Sequence, residues 1–178
     1  MKLENLVIAN NEFENIISEL ITNDTVLEMK NYKQHFNTSC FEHCYLAAYY
    51  CYCICKKLNL DYKSATRAAM LHDLFLYDWR DKNSHRPFHA FHHGKTACEN
   101  ACKLFELTSK EQDMIIKHMW PVTCAFPHSI EGLVLTFVDK YCALYESWQS
   151  IKSYIFSKKH FRYSYIFLTL LIFNIRQI

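Results

Sequence analysis

The sequence predicts an all-α, single-domain helical bundle of about six to seven helices, and three observations carry that prediction. Only two glycines, Gly94 and Gly132, occur in 178 residues, too few for the turns of a hairpin-rich β fold. The three prolines, Pro87, Pro121 and Pro127, fall in two places and read as loop punctuation. Between them apolar residues recur at helical spacing, and several of the breaks carry helix-capping signals.

In chain order, the first helix is expected from about Asn11 to Ile21. The second opens with "SCFE", where Ser39 and Glu42 have capping-box spacing, and continues to about Leu58. "DYKSATRAAML" carries a third from about Asp61 to His72, and the polar stretch "DWRDKNSHRP" that follows reads as an exposed loop. A fourth is expected from about His92 to Phe105. A fifth starts at "SKEQ", with Ser109 and Gln112 as its capping box, and stops at Trp120-Pro121, where proline cannot continue a helix. The sixth, from Ser129 to about Trp148, is the most apolar. No repeat, linker or low-complexity segment divides the chain. Residues 1–150 are read as one helical domain, and 151–178 as an apolar, basic helical tail packed on it.

Composition narrows the function. At 51% apolar residues the chain has material for an ordinary core. Twenty basic against eighteen acidic residues leave a formal +2, which argues against a sequence-specific nucleic-acid partner. The charge is uneven, because no acid follows Glu146. The uncharged run "YSYIFLTLLIFNI" falls short of the roughly 20 residues that span a bilayer; it reads as a core helix, although a basic aromatic tail also suits a membrane surface. The N-terminal "MKLENLVIANNEFE" lacks a signal-peptide pattern, and the nine cysteines are odd in number without zinc-finger spacing. A cytoplasmic protein with mostly buried, free cysteines is expected. Scarce glycine also excludes a Walker-type phosphate loop, a dinucleotide-binding fingerprint and a nucleophile elbow.

The chemistry lies in ionisable residues placed on apolar helices. In "LHDLFLYDW", His72 and Asp73 end an apolar helix and are followed at once by more apolar residues. A carboxylate there costs several kcal/mol unless it is paired, protonated or bound to a cation. His43 lies inside the second helix, His93 in the first turn of the fourth, His118 in the last turn of the fifth, and Asp139 in the middle of "LVLTFVDKYCAL". One such histidine alone is more often a satisfied core residue. Together the six can converge in a bundle core, where imidazoles and carboxylates are ligands for Mn, Fe, Zn or Ni.

The ordered pattern of His43, then "HD" at 72 and 73, then Asp139, on helices of an all-α domain, resembles the HD superfamily of metal-dependent phosphohydrolases. The resemblance covers about residues 38–146. It implies one divalent metal, drawn from Mn, Fe, Ni, Zn or Mg, on His43, His72, Asp73 and Asp139. Members with two further histidines bind a second metal, with the HD aspartate bridging, and His93 and His118 match those positions. The stretch "HAFHH" leaves His89, His92 and His93 as alternatives for the first of them.

The resemblance further implies hydrolysis of a phosphomonoester or nucleotide by water activated at Asp73. Arg80, Arg86, Lys95 and Lys140 are the candidate phosphate-binding cations, Lys95 because it lies near a helix N-terminus. His92 or His89 is the candidate proton donor to the leaving oxygen. Many nucleotidases of the superfamily carry an acid three or four residues after the HD aspartate; Leu76 and Tyr77 stand there in this chain, and Asp78 follows. That departure keeps open a second reading, a non-catalytic regulatory module that binds metal and nucleotide. A cysteine nucleophile at Cys44 is disfavoured, because adjacent helix residues do not face one another.

Overall fold

The computed structural model of the chain describes residues 11–35, 38–81, 83 and 87–157. Helix α1, Asn11–Ile21, falls where the apolar spacing puts it, with Phe13, Ile17 and Leu20 buried on one face. A short helix, α2 (Asp24–Leu27), and a 3-10 turn (Glu28–Asn31) follow. Next comes a two-stranded antiparallel ribbon, β1 (Lys33–His35) with β2 (Thr38–Ser39), in which Lys33 pairs with Ser39 and His35 with Thr38. None of these short elements is long enough to show a period in sequence.

Helix α3, Cys40–Lys57, is the centre of the fold, and the expected capping box is formed: the Ser39 hydroxyl accepts from the Glu42 amide, while the Glu42 carboxylate accepts from the Ser39 amide. Helix α4, Tyr62–Leu71, is capped by the Asp61 carboxylate and packs along α3, and both helices bury small residues, Ala47 and Ala48 on α3 and Ala65, Ala68 and Ala69 on α4. Small side chains let two backbones approach closely, so α3 and α4 form a stiff pair on which the rest is assembled. Glu12 ties α1 to that pair: it accepts from the hydroxyls of Tyr52 at 2.8 Å and Tyr62 at 2.7 Å and is ion-paired with Lys56. Those partners, Lys56 first, hold its carboxyl down at about 2.

Three boundaries differ from the sequence reading. Helix α5, His89–Leu104, begins three residues earlier than expected. Its first turn follows Phe88, a left-handed residue (φ 62°) with no side-chain cap, so the usual start signal is missing. Helix α6, Ser109–Lys117, is capped by Thr108 and Glu111, one residue before the expected Ser109 and Gln112. Helix α7, Ile130–Ser157, runs unbroken through residue 150, well past the expected end at Trp148.

The core is one cluster in which α3 meets α4 and α7, α4 meets α6, and α5 meets α6. Six of the nine cysteines are buried in the packing, and all nine are free. No helix among the described residues is long and apolar enough to cross a membrane. Arg86 and the tail beyond residue 157 lie outside the described residues.

Candidate metal centre

Five helices, two of them through their C-terminal ends, deliver six ligating side chains to one buried point. His43 comes from α3, His72 and Asp73 from the C-terminal end of α4, His93 from α5, His118 from the end of α6, and Asp139 from the middle of α7. All six are at least 93% buried. Asp73 stands at the centre: its Oδ1 is 3.2 Å from His93 Nε2 and 3.6 Å from His118 Nε2, and its Oδ2 is 3.4 Å from His72 Nε2 and 4.0 Å from His43 Nε2. Asp139 Oδ1 closes the group at 3.1 Å from His43 Nε2 and 3.6 Å from His72 Nε2.

Helix ends set the orientation of the rings. The last carbonyls of a helix have no amide partner within it. His72 and His118 each follow such an end, and each sets Nδ1 2.7 Å from the carbonyl three residues back, Ala69 and Ile115 respectively. His93 Nδ1 lies 3.0 Å from the carbonyl of His89, one turn earlier on α5. A carbonyl oxygen only accepts, so all three rings donate from Nδ1, and in the neutral form each turns a bare Nε2 lone pair inward. His43 is held differently, with Nδ1 3.1 Å from both oxygens of the buried Glu146.

This arrangement is unsatisfied without a cation. His72 Nε2 and Asp73 Oδ1 are buried with no hydrogen-bond partner, an expense the fold carries at no other ionisable pair among the described residues. His93 Nε2 and His118 Nε2 face each other at 2.9 Å, so both lone pairs converge beside Asp73 Oδ1. The donors fall into two sets that share Asp73: His43, His72, Asp73 and Asp139, and Asp73, His93 and His118. Imidazole with carboxylate is the donor chemistry of Mn, Fe, Ni and Zn, so the residues fit the implied metal.

The protonation of the rings reports the local potential. Burial opposes charge on His43, but its hydrogen bonds to Asp139 and Glu146 outweigh burial and hold its pKa well above the usual value. His118 goes the other way, down to about 3, through burial and the neighbouring His72 and His93. Burial also opposes charge on Asp73, yet His72, His93 and His118 keep its carboxyl well below the usual carboxylate range.

A cavity of about 270 Å³ opens over Asp73, Asp139, His93 and His118. Trp79, Met119 and Val122 give it an apolar wall, and Lys140 and His89 bring polar groups to it. Lys140 Nζ donates to the His118 carbonyl at 3.0 Å and lies 3.9 Å from Asp139 Oδ2. His89 is stacked between Trp79 (centroids 5.9 Å apart) and His93 (4.5 Å), with Nδ1 3.0 Å from the Tyr77 hydroxyl.

The structure separates the remaining candidates. Of "HAFHH", His93 joins the cluster, His89 lines the cavity one turn earlier on the same face, and His92 is exposed. Lys95 is also exposed, 4.0 Å from Glu99, and does not line the cavity. On a helix these residues stand about 100° and 200° round from His93, so they cannot share its face. Arg80 is off the cavity wall and paired with Asp78 through two contacts of 2.8 and 2.6 Å. The sequence reading missed Glu146, although it lies seven residues after Asp139 and therefore on the same helix face. It also missed Gln34, whose amide donates to Asp73 Oδ2, and Cys40, whose thiol donates to the Asp73 carbonyl at 3.1 Å.

An all-α bundle that gathers an H…HD…D set around a shared aspartate defines a class of metal-binding helical domains. Residues 28–156 match the family model of the HD domain, and the chain belongs to that family. No curated protein and no solved structure shows significant similarity to the chain.

Proposed function

We propose that the protein is a metal-dependent phosphohydrolase acting on a phosphomonoester or nucleotide, with one or two divalent ions held by His43, His72, Asp73, His93, His118 and Asp139. The observation that carries this reading is the set of inward-turned Nε2 and carboxylate donors lying directly beneath an open cavity with a cation on its wall. When bound, the metal would supply Lewis acidity and lower the pKa of its water towards about 7. The chain's own residues do the rest. Asp73, shared by both donor sets, fixes where the reacting water sits. Lys140, one of the expected phosphate-binding cations, offers an ammonium to a phosphate oxygen at the cavity wall, where Lys95 and Arg80 do not reach. Of the two expected proton donors, His89 rather than His92 stands at the cavity wall, where it can give a proton to the leaving oxygen. Trp79, Met119 and Val122 keep bulk water from one side and favour a substrate with an apolar or aromatic part.

The second reading, a regulatory module that binds metal and nucleotide without turnover, is favoured by one observation: no acid occupies positions 76 or 77, and Asp78 is engaged by Arg80. One assay separates the two. Chelator-stripped protein, resupplied with Mn²⁺, is tested on an aryl phosphate and a panel of nucleoside monophosphates beside Asp73→Ala. Metal-dependent phosphate release that disappears in the variant supports the hydrolase. Stoichiometric metal uptake with no release from any substrate supports the module instead.

A further inference from the structure

Gln34 is the middle residue of β1 and borders the cavity, only 9% exposed, while its neighbour Lys33 is exposed. Successive strand residues point to opposite faces, so the ribbon turns this one amide in towards Asp73. Two hydrogen bonds tie the ribbon in place. Trp79 Nε1 donates to the Lys33 carbonyl at 3.1 Å, and the Cys40 amide donates to the Tyr32 carbonyl at 2.8 Å.

The two ends of the Gln34 amide are not alike. A carboxylate only accepts, so Nε2 faces Asp73 and donates to Oδ2, which leaves the other end as a carbonyl oxygen. That oxygen, Oε1, is buried with no hydrogen-bond partner. Asn100 shows the usual arrangement: Nδ2 donates to the Leu74 carbonyl at 2.9 Å and Oδ1 accepts from Lys103 at 3.3 Å, so both ends are used. A buried acceptor left unmade is costly, and a donor alone would serve Asp73 without that cost. The acceptor end therefore needs its own reason. It belongs to a residue on the wall of a cavity that also offers the Lys140 ammonium, and the ligand that suits both combines negative charge with an O–H.

We propose that Gln34 Oε1 reads the anion in the cavity: it accepts a hydrogen bond from the O–H of a hydrogen phosphate ion held there by Lys140. The proposal rests on the phosphohydrolase reading and gives that site its selectivity. Hydrolysis makes this O–H in place. As water attacks phosphorus, the bond from phosphorus to the leaving oxygen breaks, and His89 protonates that oxygen. One proton of the water passes to solvent, and the other stays as the P–O–H of the product. Gln34 accepts from the retained O–H throughout, which turns a lone pair of the water towards phosphorus.

Calorimetric titration of inorganic phosphate and of sulfate into the Mn²⁺-loaded chain at mildly alkaline pH, with Gln34→Met and Gln34→Leu beside the wild type, tests the proposal. Both anions are tetrahedral dianions there, and only phosphate keeps an O–H. Losing the N–H donated to Asp73 affects both anions alike, whereas losing Oε1 affects phosphate alone, so the ratio of the two affinities is the readout. The wild type should prefer phosphate, and that preference should fall by about tenfold or more in each variant, with far-UV circular dichroism unchanged. A preference that survives in the variants, with or without a loss of Mn²⁺ affinity, overturns the proposal and leaves the hydrolase reading standing. A wild type that binds the two anions equally overturns it without recourse to a variant. If neither anion binds the wild type, the phosphohydrolase reading falls and the proposal with it.

Discussion

On one side of Asp73, His43, His72 and Asp139 complete a donor set with two carboxylates, and a third carboxylate, Glu146, stands behind His43. On the other side, His93 and His118 share Asp73 with no carboxylate of their own, and their outer nitrogens rest on backbone carbonyls. Burial opposes charge on both His43 and His118; hydrogen bonds to two carboxylates outweigh it at His43, whereas His72 and His93 add to it at His118. For a dication the first set is the deeper electrostatic well. The centre should therefore hold two metals of unequal affinity, with the tighter one on the set backed by Glu146.

The largest effect falls on the shared residue. Asp73→Ala should abolish both sites, so elemental analysis of protein purified without chelator should find no bound metal, and Mn²⁺ should no longer raise the melting temperature. Retention of one metal would show that the two sets are independent. Next in size, Asp139→Ala should remove the tight site, whereas His118→Ala should remove only the weak one, leaving a single metal per chain by the same analysis. Glu146→Gln keeps the shape but removes the charge behind His43. Outer-shell changes of this kind cost about 10–100-fold in affinity, and calorimetry should find that loss confined to the tight site.

The smallest effect on metal should come from Gly94→Ala, where α5 crosses α6. A Cβ there would lie 2.9 Å from the Ile115 carbonyl oxygen and 3.0 Å from that of Ile116. The Ile115 carbonyl is the one that orients His118, so the substitution should loosen the weak site alone. Overpacking should also lower stability by about 1–3 kcal/mol, measurable by urea unfolding.

The helices were legible where their ends carry side-chain signals. Ser39 with Glu42 and Asp61 with the Ser64 amide are local devices, so the sequence shows them. The start of α5 was not legible, because Phe88 reaches a left-handed backbone without a capping side chain. The ligand set was readable as an ordered pattern, but the choice among His89, His92 and His93 needed the phase of α5 relative to α6, which is a tertiary fact. Gln34 was out of reach for a similar reason: it sits on a three-residue strand, and its partner Asp73 is 39 residues away. Glu146 was within reach, because its seven-residue distance from Asp139 already placed both on the buried face of one helix.

The shared-aspartate account is tested most directly by calorimetric titration of Mn²⁺ into chelator-stripped wild-type protein and His118→Ala. Two binding steps of unequal affinity in the wild type, with only the tighter one left in the variant, is the predicted result. A single step that His118→Ala leaves unchanged would contradict it.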